Sequence, residues 1–207
     1  REKLFTRENS DLNTNSLTCL HSDHDGHLYI GSSTGLYILD TRSGTFLKWA
    51  GDLNPLKDVF ITSLYKDCRG LIWIGTRTGL KVYDERHNTF YQILQKDGLS
   101  NPYVRTLIED NSKNVWASTD NGLTCIQTKR LDNGGYSFVC TPFFEEDGLQ
   151  NSAFNSNVAC LTRMGCLIGS TNGYLCIHEN RYASPYSSVD IVFTSLWLRG
   201  QRVLVGD

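Results

Sequence analysis

An all-β chain built of propeller blades is what this sequence predicts, and three observations predict it. Four segments of the chain superimpose on one another, their apolar residues alternate at the strand period of two, and turn-forming residues divide each copy into four short strands. Leu28-Tyr29-Ile30-Gly31-Ser32-Ser33-Thr34-Gly35-Leu36 aligns with Ile72-Trp73-Ile74-Gly75-Thr76-Arg77-Thr78-Gly79-Leu80. The third copy runs from Val115 to Leu123 and the fourth from Leu167 to Leu175. The shared glycine steps through 35, 79, 122 and 173, spacings of 44, 43 and 51. The polar insertion Leu131-Asp132-Asn133-Gly134-Gly135 accounts for the long step. A period of roughly 40 to 50 residues belongs to propellers or two-helix arrays, and the alternation selects the propeller.

Within each copy the elements follow in order. A first strand comes from Leu17-Thr18-Cys19-Leu20, Ile61 to Tyr65, Val104 to Ile108 and Val158-Ala159-Cys160-Leu161. A turn follows at Asp23 to Gly26, Asp67 to Gly70, Asp110 to Asn114 and Thr162 to Gly165, all built of residues that tolerate tight or left-handed backbone. The second strand carries Tyr29, Trp73 or Trp116, rings that should fill the space between neighbouring sheets. Gly31 and Gly75 should relieve crowding there, and the later glycine turns the chain into the third strand. A fourth strand, such as Thr89-Phe90-Tyr91-Gln92-Ile93, completes the blade. Ala117 stands where the third copy wants Gly, and the fourth departs at Cys166-Leu167 and Tyr174. Leu4-Phe5-Thr6 reads as a further strand, either the outer strand of a preceding blade or a partner for the fourth.

The composition excludes whole classes of function. The 207 residues carry 20 basic and 22 acidic side chains, a formal charge of −2, which is no footprint for nucleic acid or an anionic membrane. No window approaches the roughly eighteen apolar residues of a membrane span. Arg1-Glu2-Lys3-Leu4-Phe5 lacks the apolar stretch of a secretory signal, and the opening inside an apparent strand reads as an excised piece. Any membrane contact is therefore expected through parts of a parent chain outside these residues. Seven cysteines include no Cys-x-x-Cys and no zinc spacing, so they read as core thiols. Hairpin geometry would bring Cys160 near Cys166 and Cys125 near Cys140, which leaves a disulfide open at either pair.

A catalytic constellation is not found. Ser32 and Ser33 recur as part of a structural element rather than a nucleophile turn. Glu145-Glu146-Asp147 and Asp84-Glu85 read as solvated charge in turns, and His21-x2-His24-x2-His27 as a solvated turn without counterpart in the other copies. The inner-strand positions Thr18, Thr62, Arg105 and Ala159 offer no acid. No catalytic residue, cofactor or metal is expected, and a propeller hydrolase or lyase is the least supported class.

The pattern Asp-x-x-Gly-x-Ile/Leu-Trp/Tyr-Ile-Gly-Thr/Ser-x-x-Gly-Leu, best seen from Asp67 to Asp84, resembles the two-component regulator propeller repeat. The resemblance covers about residues 1 to 180. It implies that the blades are part of a seven-bladed propeller in the periplasmic, extracytoplasmic sensor region of a hybrid histidine kinase in the inner membrane, a region associated with oligosaccharides from polysaccharide breakdown. Residues 1–182 would hold about four blades, near 11–50, 55–95, 99–143 and 149–180, and 183–207 a linker and the first strands of an immunoglobulin-like β-sandwich module. Four blades leave either an open ring or edges that a second chain covers, and self-association as a dimer is expected.

Ligand recognition is expected on the connections between blades, which cross one face of a rigid scaffold. Asn15, Phe60, Asn101, Tyr103, Arg105, Asn151, Phe154 and Asn157 are the candidates. Amides pair with sugar hydroxyls and rings stack on sugar C–H faces. The functional reading is a ligand-sensing segment that biases a distant kinase. The alternative is a protein-interaction scaffold without a kinase.

Overall fold

Period-two alternation needs a covered face on every sheet, and stacking the four copies side by side supplies it. The computed structural model describes residues 3–47, 56–178, 196–198 and 201–203. Blade 1 holds β1 (Leu17–Ser22), β2 (His27–Ser32), β3 (Gly35–Asp40) and β4 (Thr45–Leu47). Blade 2 holds β5 (Ile61–Lys66), β6 (Leu71–Thr76), β7 (Gly79–Asp84) and β8 (Thr89–Ile93). Blade 3 holds β9 (Val104–Glu109), β10 (Val115–Thr119), β11 (Leu123–Arg130) and β12 (Tyr136–Phe143). In blade 4 three strands are described, β13 (Phe154–Thr162), β14 (Gly165–Ser170) and β15 (Gly173–Ile177). Every blade is an antiparallel meander in sequence order, and β1, β5, β9 and β13 lie beside one another as the inner strands. The chain is an all-β, four-blade propeller array.

The core sits between blades. Tyr29, Leu36 and Ile38 of blade 1 meet Ile61, Ile72 and Ile74 of blade 2. Trp73, Leu80 and Val82 meet Val104, Leu107 and Val115 of blade 3. Trp116, Leu123 and Cys125 meet Phe154, Cys166 and Ile168 of blade 4. The recurring ring on the second strand is thus an interblade filler, and Tyr29, Trp73 and Trp116 are each at most 1% exposed.

Close approach dictates the glycine beside each ring. A Cβ on Gly31 would stand 2.8 Å from Ile61 Cγ2, and one on Gly75 the same distance from Val104 Cγ1. Ser118 pairs with Thr106 as Gly75 pairs with Ser63, so Ser118, not Ala117, occupies the glycine place of blade 3. The next glycine turns the chain: Gly79 has φ 130°, in the region that favours glycine. A hydroxyl locks that turn in all four blades, because Ser32, Thr76, Thr119 and Ser170 donate to the carbonyls of Gly35, Gly79, Gly122 and Gly173 at 2.9, 2.7, 2.8 and 3.2 Å.

The two end blades keep uncovered flanks. Leu64 and Leu107 on the inner strands of blades 2 and 3 are 7% exposed, whereas their equivalents Leu20 and Leu161 are 61% and 48% exposed. Tyr174 is 71% exposed where Leu36, Leu80 and Leu123 are 2%, 0% and 2% exposed.

Leu4-Phe5-Thr6 does not form the strand read from the sequence. Phe5 packs edge-on against Phe46 of β4 at 5.9 Å between centroids, and Thr6 begins a turn that Asn9 closes through its Oδ1. Of the second module, the described part is a hairpin of β16 (Leu196–Leu198) and β17 (Gln201–Val203), paired Leu196 to Val203. The rest of 183–207 lies outside the described residues.

Candidate functional site

The meander gives each blade two ends with different chemistry. At one end the turn from first to second strand begins with Asp23, Asp67 or Asp110, and the carboxylate does two jobs. Oδ1 of Asp67 accepts the backbone N–H groups of Arg69 and Leu71, both at 2.9 Å. Its Oδ2 accepts Trp73 Nε1–H and Arg69 Nη1–H, both at 3.0 Å. Asp110 likewise accepts from Asn114 N and from Trp116 Nε1 at 2.8 and 2.9 Å. In blade 1, Asp23 Oδ2 accepts from Lys66 Nζ at 2.8 Å and from Tyr29 O–H at 3.3 Å. Burial opposes ionisation of Asp23, but hydrogen bonds from Lys66 and His27 more than offset it and hold the carboxyl well below the usual range. Burial likewise opposes the Lys66 charge, and its bonds to Asp23 and Tyr29 raise its pKa nonetheless.

This end stitches blades together. Lys66 of blade 2 spans to Asp23 and Tyr29 of blade 1, and Arg69 reaches Glu109 Oε1 and Lys113 O of blade 3 at 3.2 and 2.7 Å. Two sequence readings are corrected here. Asp84 is not a solvated turn charge, since it is buried and bonded to His87, whereas Glu85 is exposed in the turn as read and also faces Lys66. The histidine turn is not simply solvated either, since His21 accepts the Lys66 backbone N–H at Nε2 and His27 meets Asp23, while His24 is exposed. No disulfide joins any of the seven cysteines, which all lie among the described residues, and neither Cys160 with Cys166 nor Cys125 with Cys140 is bridged.

At the other end, the connections between blades meet the turns from second to third strand. Tyr103, just before β9, holds its backbone carbonyl against Asp120 N at 3.1 Å, and Pro102 O accepts from Gly79 N at 2.8 Å. This brings Phe60, Tyr103 and Arg105 together with Arg77 and Asp120, two residues not singled out from the sequence. The Arg77 guanidinium lies 3.7 Å from the centre of the Phe60 ring and 5.8 Å from that of Tyr103. Arg105 covers Tyr103 at 4.1 Å, pairs with Asp120 and donates to Ser156 Oγ at 3.2 Å. Phe60, Arg77, Tyr103 and Arg105 thus alternate as ring and cation across blades 2 and 3. Arg77 and Asp120 were visible as the variable places of an otherwise fixed turn, where Ser33 and Thr171 stand in the other copies.

The remaining candidates fall elsewhere. Asn101 and Asn151 accept the backbone N–H two residues on, from Tyr103 and Ala153, each at 3.0 Å, so both shape turns. Asn15 accepts from Arg7 N at 2.9 Å. Phe154 is buried between blades 3 and 4 at 5% exposure and serves packing, because its register place opposite Ser170 matches that of Ile61 opposite Thr76. Asn157, with φ 57°, donates to the carbonyls of Thr18 and Thr62 at 3.3 and 3.0 Å and ties the inner strands of blades 1, 2 and 4. A cavity of about 270 Å³ beside it is lined by the four inner-strand leucines Leu20, Leu64, Leu107 and Leu161 together with His21, Tyr65, Thr106 and Asn157 itself. Among the described residues no three His, Cys, Asp or Glu side chains group as metal ligands, and no helix is long and apolar enough to cross a membrane.

Fold and face together define a repeat propeller with a ring-and-cation stack on its connection end. Residues 98–121, which span the third copy's connection, first strand and second strand, match the family model described as two component regulator propeller. Among solved structures the chain is similar to the extracellular domains of two proteins of B. thetaiotaomicron described as hybrid two component systems. For one the identity is 23% and the TM-score 0.67, over 84% of this chain and 23% of the other. For the second they are 20% and 0.61, over 82% and 22%. Virginiamycin B lyase from Staphylococcus aureus is also similar, at 12% identity and a TM-score of 0.52, over 75% of this chain and 49% of that one. The chain therefore spans about a quarter of the two sensor structures. No curated protein matches. The propeller fold is common to all three structures and hosts unrelated functions, so the function is argued from the site.

Proposed function

We propose that the chain is a ligand-sensing blade array from the extracytoplasmic, periplasmic region of a two-component sensor, and that it takes oligosaccharides on the connection end of blades 2 and 3. The observation that carries the reading is the alternating stack of Phe60, Arg77, Tyr103 and Arg105. Guanidinium groups packed on these rings hold the stack stiff, and a sugar lying across it meets ring C–H groups and guanidinium N–H donors together. The match of residues 98–121 to the two-component regulator propeller supports the sensor part. Ligand binding would bias a kinase elsewhere in the parent by its differential affinity for two blade arrangements. Self-association is part of the same reading, since the exposed place of Tyr174 is one that the next blade covers at Leu36, Leu80 and Leu123 in blades 1 to 3.

Thermal unfolding of the chain with a library of plant and host oligosaccharides tests this. A ligand at about a hundred times its Kd adds about 2.7 kcal/mol. The shift should appear for at least one saccharide and vanish in Phe60→Ala/Tyr103→Ala; a shift that survives both substitutions would place the site elsewhere.

A further inference from the structure

Arg77 is unlike every other cation packed at a blade boundary. Lys66 has Asp23 and Glu85, Arg69 has Asp67 and Glu109, and Arg105 has Asp120. Arg77 is exposed, and no ion pair or hydrogen bond reaches its guanidinium among the described residues. Among the described residues its partners are the faces of Phe60 and Tyr103. Ring stacking occupies the flat face of a guanidinium and leaves the edge, where all its N–H groups point, free. It also restrains the side chain before any ligand arrives, so less rotamer freedom is lost on binding. A planar anion meeting that edge accepts two parallel hydrogen bonds from one group, the geometry in which arginine surpasses lysine.

We propose that the saccharide recognised on this face is acidic, with a uronic acid carboxylate bound edge-on by Arg77 while the adjoining sugar ring lies on the Tyr103 side of the stack. This rests on the oligosaccharide reading above and narrows it. The balance of charge favours it as well: Asp120, in the turn equivalent to that of Arg77, is engaged by Arg105, and among the described residues no acid pairs with Arg77.

The test is titration calorimetry of the 207-residue chain with uronate oligosaccharides cut from polygalacturonate, alginate and hyaluronate, each beside its carboxyl-reduced neutral counterpart. At least one acidic member should bind about tenfold or more tighter than its reduced form, the size of one charge-assisted pair. In Arg77→Ala that preference should collapse to parity, and Arg77→Lys should restore only part of it. The Arg77 Nε–Hε resonance should move with the acidic ligand and stay with the neutral one. Binding of reduced forms as tight as the acids would overturn this inference and leave the oligosaccharide reading standing. Binding of neither set would overturn both.

Discussion

Asp67→Asn is the smallest change that tests how the blades are built. The carboxylate is fully buried and accepts four hydrogen bonds, from Arg69 N and Leu71 N on one oxygen and from Trp73 Nε1 and Arg69 Nη1 on the other. An amide has the same shape but one acceptor oxygen. In either rotamer its NH2 group faces two donors, so at least one buried N–H is stranded. If the NH2 faces Trp73, Arg69 still has Glu109 and Lys113 O, whereas the Trp73 indole, 0% exposed, has nowhere to turn. A stranded buried donor costs about 1–3 kcal/mol, and the lost charge-assisted bond adds about as much again. The expected loss is about 3 kcal/mol. For a chain of this size that lowers Tm by about 6–12 °C.

Urea unfolding followed by tryptophan fluorescence measures it, with Trp73→Phe alone and in the Asp67→Asn background to close a double-mutant cycle. The two changes should cost less together than separately by about 1.5 kcal/mol or more, because the phenylalanine removes the stranded donor. An Asp67→Asn chain within about 1 kcal/mol of the parent, or a cycle that is additive, would refute the assignment of the aspartate as the anchor of the Trp73 ring and the turn beside it.

Three further outcomes are expected. Phe154→Ala should cost about 3–5 kcal/mol in urea unfolding, as a buried ring deletion does, while Tyr174→Ala on the bare flank should stay within about 0.5 kcal/mol. Burial lowers the pKa of His21, so the unfolded chain takes up its proton first as pH falls. Stability is then full above about pH 6.5 and declines below it, and His21→Gln should flatten that slope in unfolding measured from pH 7 to 5. Loss from Asp23, whose pKa is also lowered, begins separately, below about pH 4. Thiol labelling of the native chain should modify Cys68 and Cys160 quickly and leave Cys125 and Cys166 until unfolding, since the first two are exposed and burial pushes the Cys125 thiol up to about 12.

The sequence by itself determined the blades. Their number, the four-strand meander, the turn glycine and the interblade role of Tyr29, Trp73 and Trp116 follow from a repeat laid over a period-two alternation, both of which are local properties of the chain. It also singled out the blade connections as candidates for recognition, because loops that join blades emerge together at one end.

Only the tertiary structure decided what each polar residue does. The turn aspartates look like ordinary turn formers until the strand pairing swings the ring six residues on back over the carboxylate. Phe154 looks like a loop aromatic until the register shift in β13 sets it into the place that Ile61 holds in blade 2. Arg77 and Phe60 belong to different segments of blade 2, and Tyr103 and Arg105 to the next blade, so their stack exists only once the two blades pack. Side-chain partners across a blade boundary, such as Arg77 with Tyr103 at 26 residues and Arg69 with Glu109 at 40, depend on distances between chain segments that a reading of neighbouring residues does not reach.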